Sequence, residues 1–289
     1  MKYVRAAVIL LFVLGLGVYG LSMAAQRQNQ ADAPPSIATD REVLEIPSAY
    51  TEDMLLEGLT AEDVQDGDLT DGIMVRGLSN FISAGVCNVS YVVFDSSNQS
   101  ATLTRRVQFT DYAPPRFALT EPLIYPQGRI AQPLDRVQAM DVIDGDISSL
   151  VTIADSTVDY NTPGVYSITV EVTNSFGDSQ TAELPVHVVE TYPTETQLQL
   201  SQPLVYLQVG ETLDPYAYML PVTDTAGGEN PLQLLVESDV NTQEPGIYQV
   251  RFIAIRDMTP AAGEEGEGED VQTNVVTEAE TWMTVIVRE

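Results

Sequence analysis

The sequence contains a single cysteine, a single histidine and a single lysine, and their scarcity excludes several kinds of crosslink and modification. Cys87 is the only cysteine in 289 residues, so no disulfide can form within the chain. Because no cysteine lies near the end of the apolar N-terminal segment, a lipid-modified cysteine is excluded there. His187 is the only histidine, and Lys2 is the only lysine. A chain without disulfides must be stabilised by its apolar core, and apolar residues make up 44% of this one.

Positive charge is also scarce. The chain has 13 basic side chains against 42 acidic ones, a formal net charge of −29 at pH 7. Such a surface repels nucleic acid and anionic lipid headgroups, because binding them requires cations that displace counterions. The composition therefore predicts no nucleic-acid partner. The acidic excess is typical of a protein that is kept soluble by its own charge.

A long uncharged stretch occurs at the N-terminus. Lys2 and Arg5 precede a run of 20 uncharged residues that ends at Ala25. As a helix this run would be about 30 Å long, enough to cross the hydrocarbon core of a bilayer. The preceding positive charges place the N-terminus inside and the C-terminal bulk in the extracellular space. We therefore expect residues 1–25 to form a single-pass anchor in the cell membrane. The Ser-Met-Ala sequence at 22–24 also suits cleavage, so a secreted protein that has lost a signal peptide is the alternative.

Four short motifs recur in the same order, with spacings of about 80 residues. Internal similarity at a fixed spacing indicates tandem copies of one structural unit. The motifs and their repeats are Ala33-Pro-Pro-Ser-Ile37 and Ala113-Pro-Pro-Arg-Phe117, Pro122-Leu-Ile-Tyr125 and Pro203-Leu-Val-Tyr206, Asp63-Val-Gln-Asp-Gly-Asp-Leu69 and Asp141-Val-Ile-Asp-Gly-Asp-Ile147, and Pro163-Gly-Val-Tyr166 and Pro245-Gly-Ile-Tyr248. We therefore divide the chain beyond the anchor into a linker at 26–32 and three copies, at 33–112, 113–192 and 193–289.

Within a copy, apolar and polar residues alternate with a period of two. Residues 165–172 and 181–189 alternate on either side of a turn at 174–178 that contains asparagine, glycine and aspartate. Two alternating runs around such a turn predict a β-hairpin. Short strands at this spacing favour an all-β chain of three tandem immunoglobulin-like Greek-key β-sandwiches, preceded by the N-terminal transmembrane or signal helix.

A Pro-Gly turn comes before the penultimate strand in two copies. Gly164 and Gly246 follow proline, which is typical of a type II turn whose second position needs a positive φ. Tyr166 and Tyr248 then begin the strand. They are similar to the tyrosine corner of immunoglobulin-like sandwiches, whose hydroxyl bonds nearby backbone. Cys87 takes this place in the first copy, where we expect a small buried thiol.

Together these motifs resemble the bacterial immunoglobulin-like surface modules, including those of pesticidal crystal proteins and the hyalin-repeat type. The similarity lies in the Asp-x-x-Asp-Gly-Asp turn, the Pro-Gly-x-Tyr motif and the strand and turn that follow. The third copy departs from it, with Asp224-Thr-Ala-Gly-Gly-Glu229 in place of the acidic turn. The resemblance implies a surface or secreted module that serves as a spacer, an adhesin or a recognition element, and it implies no catalytic residues.

The two acidic turns are candidate calcium sites. Each brings together carboxylates, the ligands that hard cations prefer. Their spacing differs from that of an EF-hand loop, and no glutamate follows at the position that would complete one. We therefore interpret the turns as structural, keep calcium as the alternative, and expect no metal site. The aspartates are Asp63, Asp66, Asp68, Asp141, Asp144 and Asp146.

Other reactive residue types give no catalytic or cofactor-binding pattern. His187 lies within an alternating run and is interpreted as a half-buried strand residue rather than a base. Cys87 has no sequence neighbour that would activate its thiol. Gly227, Gly228 and Gly266 lack the following lysine, serine or threonine of a phosphate-binding loop. We therefore expect a protein that is not an enzyme and that binds no cofactor.

Two functions remain open. One is surface recognition or adhesion by a membrane-anchored protein, with an unknown surface protein or glycan as the partner. The other is a passive stalk, or a structural subunit of a cell-envelope complex. An acidic, glycine-rich insertion at 258–280 interrupts the last hairpin, either as a tolerated loop or as a contact for a basic partner. A groove or a large exposed apolar patch on the third copy would favour recognition.

We expect the N-terminal anchor to remain uncut, because its uncharged run is longer than the roughly 7–15 residues typical of a signal peptide. Fractionation of expressing cells should recover the chain in the membrane, and N-terminal sequencing should find its start intact. A soluble chain that begins near Ala25 would contradict the prediction.

Overall fold

The computed structural model describes residues 2–31, 33–190, 196–224, 232–257 and 275–289. Helix α1, Lys2–Ala31, precedes an all-β chain. Among these residues, no helix combines the length and the apolar character needed to cross a membrane. Contacts between residues divide the chain into two compact units, Met1–Ala113 and Pro114–Glu289.

The first unit carries a short helix, α2 (Glu52–Leu56), and two sheets. Its strands are β1 (Ser36–Thr39), β2 (Val43–Ile46), β3 (Leu59–Asp63), β4 (Gly67–Asp68), β5 (Met74–Leu78), β6 (Val86–Phe94) and β7 (Ser100–Phe109). The smaller sheet has the order β1-β3-β4, and the larger has the order β2-β7-β6-β5.

The second unit repeats this pairing twice. Its first strands are β8 (Arg116–Leu119), β9 (Ile124–Pro126), β10 (Val137–Asp141), β11 (Gly145–Asp146), β12 (Thr152–Ser156), β13 (Gly164–Thr173) and β14 (Ser179–Val189). The remaining strands are β15 (Thr196–Gln197), β16 (Leu204–Gln208), β17 (Thr223–Asp224), β18 (Leu232–Ser238), β19 (Gly246–Asp257) and β20 (Val275–Arg288). The smaller sheets have the orders β11-β10-β8 and β15-β17, and the larger ones β12-β13-β14-β9 and β16-β20-β19-β18.

One strand order therefore occurs in all three four-stranded sheets. In each, an early short strand pairs in parallel with the last strand, as β2 does with β7, β9 with β14 and β16 with β20. The last strand pairs in antiparallel with the strand before it, which pairs in antiparallel with an edge strand. The all-β fold expected from the sequence is confirmed.

The hairpin predicted from alternating residues is confirmed. β13 and β14 pair continuously from Gly164 opposite Val188 to Thr173 opposite Ser179. Because side chains alternate across a strand, every second residue of β13 points into the core. Ile168, Val170 and Val172 are buried there.

The prediction that Gly164 and Gly246 need a positive φ is wrong. Each begins a strand, and neither has a φ in the left-handed region. A Cβ placed on Gly164 would lie 3.4 Å from the ring of Tyr166, and one on Gly246 would lie 3.1 Å from the ring of Tyr248. The distance at Gly164 is an ordinary van der Waals contact, whereas the distance at Gly246 is tight. At Gly246, therefore, the ring of Tyr248 leaves little room for a side chain.

The tyrosines themselves have the geometry expected from the sequence. The Tyr166 hydroxyl donates to the carbonyl oxygen of Thr162 at 3.0 Å, and that of Tyr248 donates to the carbonyl of Glu244 at 3.1 Å. Each ring is half-buried against the core beside its own sheet. A tyrosine that packs on the core and bonds backbone four residues earlier matches the tyrosine corner of β-sandwiches.

The first unit uses different residues at the equivalent turn. Cys87 is fully buried, and burial raises the pKa of its thiol to about 11. Gly85 does have a positive φ of 70°, and a Cβ there would lie 2.8 Å from Tyr112. Phe81 meets Tyr112 edge to face, with ring centroids 4.7 Å apart. Aromatic rings from the flanking loops therefore lie beside this turn, while the strand itself carries a small thiol.

A buried arginine distinguishes the core of the first unit. Arg105 is only 4% exposed. Its guanidinium donates to the carbonyl oxygens of Leu55 at 2.6 Å and Glu57 at 2.8 Å, and to the Tyr91 hydroxyl at 2.9 Å. These carbonyls lie at the C-terminal end of α2, where the helix dipole favours a cation. The arginine thus fixes a short helix against the sheet.

The last two four-stranded sheets share a core. Leu204 and Ile286, which belong to the last sheet, lie in the same buried cluster as Leu184 and Val186 of the preceding one. The Phe117 amide also donates to the Tyr206 hydroxyl at 3.2 Å. This packing fixes how the two sheets lie against each other. Residues 191–195, which connect them in sequence, lie outside the described residues.

The last hairpin has longer strands than the sequence predicted. β19 continues to Asp257 and β20 begins at Val275, so residues 275–280 of the predicted insertion belong to a strand. The acidic residues of this segment did not prevent strand formation. One of them, Glu278, accepts a hydrogen bond from Arg256 on the opposite strand at 3.3 Å, which offsets its charge. The rest of the insertion, 258–274, and most of the altered turn, 225–229, lie outside the described residues.

The role of Gly246 can be tested with a double-mutant cycle. Gly246→Val should destabilise the protein by about 1–3 kcal/mol, because added carbons overpack the contact with the Tyr248 ring. In a Tyr248→Ala background the same substitution should lose most of its effect, since the ring is gone. Denaturant unfolding of the four variants measures the coupling. An equal penalty in both backgrounds would show that backbone conformation, not the ring, requires glycine.

Candidate functional site

The acidic turns are held by hydrogen bonds to their own backbone. Asp63 accepts from the amides of Gln65 at 2.7 Å and Asp66 at 2.9 Å, and Asp68 accepts from the Thr70 amide at 2.9 Å. In the second turn, the amides of Ile143 and Asp144 donate to Asp141, and the Ser148 amide donates to Asp146, each at 2.9 Å. These are the Asx-type bonds expected of a structural turn.

The middle aspartate of each turn ties it to the distant hairpin. Asp66 accepts from the amide and the hydroxyl of Ser96, at 2.7 and 2.9 Å. Asp144 makes the same two bonds with Ser175, at 2.6 and 2.7 Å. Each carboxylate therefore fastens the small sheet to the turn of the large hairpin. We call this pair of bonds the Asp–Ser clamp.

The clamp gives the middle carboxylate of each turn a structural role that needs no cation. Within the described part of the chain, no group of three or more aspartate, glutamate, histidine or cysteine side chains could hold a metal ion. The six aspartates therefore lie where the sequence placed them, in two turns, and serve as acceptors for backbone and serine donors.

A groove of about 600 Å³ lies within the second unit, where its last two sheets meet. Segments 120–124, 196–200 and 279–281 contribute its walls, together with Arg136 and Leu220. We call it the junction groove. Leucines at 198, 200 and 220 give it an apolar side, while glutamines at 197 and 199 and threonines at 120, 196 and 281 give it hydroxyl and amide groups.

The charges on one wall of the junction groove neutralise each other. Arg136 pairs with Glu121 at 3.0 Å. Another guanidinium nitrogen donates to the carbonyl oxygens of Pro122 at 2.6 Å and Ile124 at 3.1 Å. The same guanidinium lies 4.7 Å from the centre of the Tyr125 ring. Arg136 is thus a fixed part of the wall, with most of its donors used.

The opposite wall carries a second neutralised carboxylate. Arg251 donates from Nε to Glu280 Oε2 at 2.7 Å and again from a terminal nitrogen, and it also pairs with Glu237 at 3.1 Å. Burial raises the pKa of Glu280, while the adjacent guanidinium favours its ionised form. The carboxylate is therefore oriented by Arg251 and is not free to act as an acid or a base.

The only histidine and the only tryptophan of the chain meet beside the groove. The rings of His187 and Trp282 stack with centroids 4.1 Å apart, and Arg251 lies 5.6 Å from the tryptophan ring. Burial of His187, together with the positive charge of Arg251, lowers its pKa to about 4, although Gln249 partly opposes the shift. His187 was expected to be half-buried, but it is almost fully buried. Its neutral ring joins the two sheets.

One edge of β20 is open toward the groove. β16 pairs with β20 only from Thr284 to Arg288, and among the described strands none pairs with that edge of the preceding residues. The Thr284 amide donates to the carbonyl of Pro203 on this side at 2.8 Å. Because backbone groups alternate along a strand, the N–H and C=O groups of Glu280 and Trp282 point to the same side.

Sequence reasoning missed this groove. Its walls come from segments that are far apart in the chain, and each segment by itself has an ordinary composition. The deep burial of Thr196, whose hydroxyl has no hydrogen-bond partner among the described groups, becomes visible only in the structure. The repeated Pro-Leu-x-Tyr motif, which overlaps β9 and β16, indicated a repeat but gave no signal of a cavity.

Comparison with known proteins gives one sequence relative and weak structural likenesses. No family model matches the chain. The chain is 30% identical over 203 residues to the pesticidal crystal protein Cry22Aa of Bacillus thuringiensis, an alignment that covers 67% of this chain and 27% of that protein. The chain thus spans about a quarter of the length of the curated relative that it matches.

Among solved structures, the CBM51-2 and INT domains of ZmpB from Clostridium perfringens share 12% identity, with a TM-score of 0.24, over 48% of this chain and 29% of that one. Human CDH23 EC21-23 shares 13% identity, with a TM-score of 0.22, over 89% of this chain and 100% of that one. Scores this low carry no information about function.

The acidic turns predict how stability depends on pH. Hydrogen bonds from the Ser148 side chain and amide lower the pKa of Asp146, and bonds from the Asp66 and Gln65 amides lower that of Asp63. A carboxyl with a depressed pKa in the folded state stabilises the fold above its unfolded pKa of about 3.9, and this contribution is lost as pH falls below that value.

Asp146→Asn keeps an acceptor but does not titrate, so its unfolding free energy should fall less steeply than that of the native protein below about pH 4. Chemical unfolding at pH 7, 4 and 3 measures the difference. Glu183→Gln, an exposed strand position in the same unit, is the control. If both variants flatten the pH dependence equally, the turn hydrogen bonds are not responsible.

Proposed function

We propose that the protein is an exported, non-catalytic recognition protein that binds an extended peptide segment of an extracellular partner in the junction groove. The observation that carries the proposal is the groove itself. Its volume of about 600 Å³ lies within the range of about 300–1,000 Å³ that is typical of ligand sites. A groove that involves the last sheet favours recognition over a passive stalk.

The chemistry of the walls favours a peptide. The open edge of β20 offers outward N–H and C=O groups at Glu280 and Trp282, which an added strand can pair with. Leu198, Leu200 and Leu220 offer apolar contacts for every second side chain of such a strand. Glu121 and Glu280, the two carboxylates of the described walls, each already have an arginine partner, so the walls offer an ionic ligand little unpaired charge.

The same groups argue against catalysis. Glu121 is paired with Arg136, and Glu280 is held by Arg251. His187 is buried, neutral at physiological pH and stacked on Trp282. General acid–base catalysis needs a group that is free to exchange a proton with a substrate, and these groups are committed to the structure.

The architecture and location form the second part of the proposal. Three immunoglobulin-like sandwiches are supported by the strand order found three times, by the tyrosine corners and by the sequence similarity to Cry22Aa. Retention on the cell membrane, with the C-terminal bulk outside, is supported by Lys2, Arg5 and the uncharged run that ends at Ala25. Release after signal cleavage is the alternative.

The groove can be tested with matched leucine substitutions. Peptides selected from a random library on the native protein should bind Leu220→Arg about tenfold or more weakly, because a charged side chain then fills the apolar wall. Leu150→Arg makes the same chemical change at an exposed position away from the groove and should bind like the native protein. Isothermal titration measures the affinities.

Other outcomes would contradict parts of the proposal. Peptides that bind both variants equally would place recognition elsewhere. Binding of glycans, lost only in Leu220→Arg, would keep the groove and overturn the peptide as its ligand. Failure to select any peptide or glycan would favour the passive stalk.

A further inference from the structure

The three four-stranded sheets differ at their edge strands. β5 and β12 are five residues long, and each has a register shift against its neighbour, between Val75 and Gly77 and between Ile153 and Asp155. A bulge of this kind twists an edge away from further pairing. β18 is seven residues long and pairs with β19 from Leu232 to Ser238 without a shift. The edge strands β5 and β12 are therefore irregular, which hinders pairing with a further strand, whereas β18 is regular.

The edge of β18 that faces away from β19 has backbone groups that no other described strand pairs with. The direction of these groups follows from Asp239, just after β18, whose amide donates to the carbonyl of Gln249 in β19. Since backbone groups alternate along a strand, the N–H and C=O groups of Leu234 and Val236 point away from β19. In the described part of the chain, no strand pairs with that edge.

The side chains of β18 divide by face. Leu234 and Val236 pack against the core of the last sheet. Leu235 points to the other face and is 46% exposed. A regular edge that also carries an exposed leucine is the kind of edge that proteins usually protect, unless another strand covers it.

We propose that β18 is a dimerisation edge, at which a second copy of this chain adds its own β18 in antiparallel about a two-fold axis through Leu235. Symmetry then places Leu234 opposite Val236 of the second copy, and Gln233 opposite its Glu237. An amide faces a carboxylate and an apolar side chain faces another, so no like charges are opposed. The self-complementarity of this sequence is what selects a second copy as the occupant.

Arg251 supports this arrangement within each copy. It pairs at 3.1 Å with Glu237, the only charged residue of β18, and it also holds Glu280, so it offsets part of the negative charge beside this edge. The remaining obstacle is the formal net charge of −29 on each chain. Repulsion between the two copies is screened by salt, so the dimer fraction should rise with ionic strength.

Introduced thiols test the register directly. In the dimer the two Leu235 positions form a pair without hydrogen bonds, with Cα atoms about 4.5 Å apart, which is within the range of a disulfide. Leu235→Cys in the full chain, oxidised in the membranes of expressing cells, should therefore yield a product of twice the chain mass on a non-reducing gel. The native protein should yield none, because Cys87 is buried.

Gln233→Cys is the matched control on the same face. Symmetry separates the two copies of this position by four residues along the strands, about 13 Å, too far for a disulfide. Crosslinking at 235 but not at 233 supports the proposal. Equal crosslinking at both positions reports random collision, and no crosslinking at 235 reports a monomer or a different partner, and each of these results would overturn it.

A charged substitution provides the second measurement. Leu235→Asp places two carboxylates opposite each other across the axis and should shift the full chain in nonionic detergent from dimer to monomer in sedimentation experiments. Leu235→Thr should remain dimeric, because threonine suits a strand and adds no charge. A native chain that sediments as a monomer at high salt would also refute the dimer.

Discussion

The pairing of two long antiparallel strands is the interaction on which the rest of each sheet depends. β6 with β7, β13 with β14 and β19 with β20 form the longest ladders of the molecule. Each ladder buries one face, and residues such as Val170 and Leu184 are completely enclosed between the layers. The parallel strand, the edge strand, the tyrosine corner and the Asp–Ser clamp are all attached to this hairpin, so its register determines where each of them lies.

Local patterns were sufficient to predict what this hairpin requires. Alternation at 165–172 and 181–189 gave both strands and the turn between them, because a period of two has one physical meaning. A positive φ was expected at Gly164 and Gly246, but neither residue has one, and at Gly246 it is the ring of Tyr248 that restricts the space for a side chain. A Pro-Gly pair is compatible with either cause, and only coordinates separate them. The location of the chain remains a prediction from its N-terminal composition.

Features made by distant segments could not be predicted in this way. The junction groove joins walls from two sheets, and the stack of His187 on Trp282 joins residues 95 positions apart in sequence. Arg105 shows the same limit within one sheet, because it occupies an inward position that Leu184 takes in the second unit. The alternation of β7 predicts an apolar residue at position 105. The carbonyl groups that accept the hydrogen bonds of the buried arginine come from the end of α2, about 50 residues earlier in the sequence.

The core shared by the last two sheets determines which parts of the gene can be exchanged between relatives. A crossover between the codons of Ala113 and Pro114 falls at the boundary of the two compact units. One within 191–195 would separate Leu204 and Ile286 from the cluster in which they are buried. Recombination should therefore preserve the second unit whole, and shuffled descendants of this protein should inherit its last two sheets as a pair.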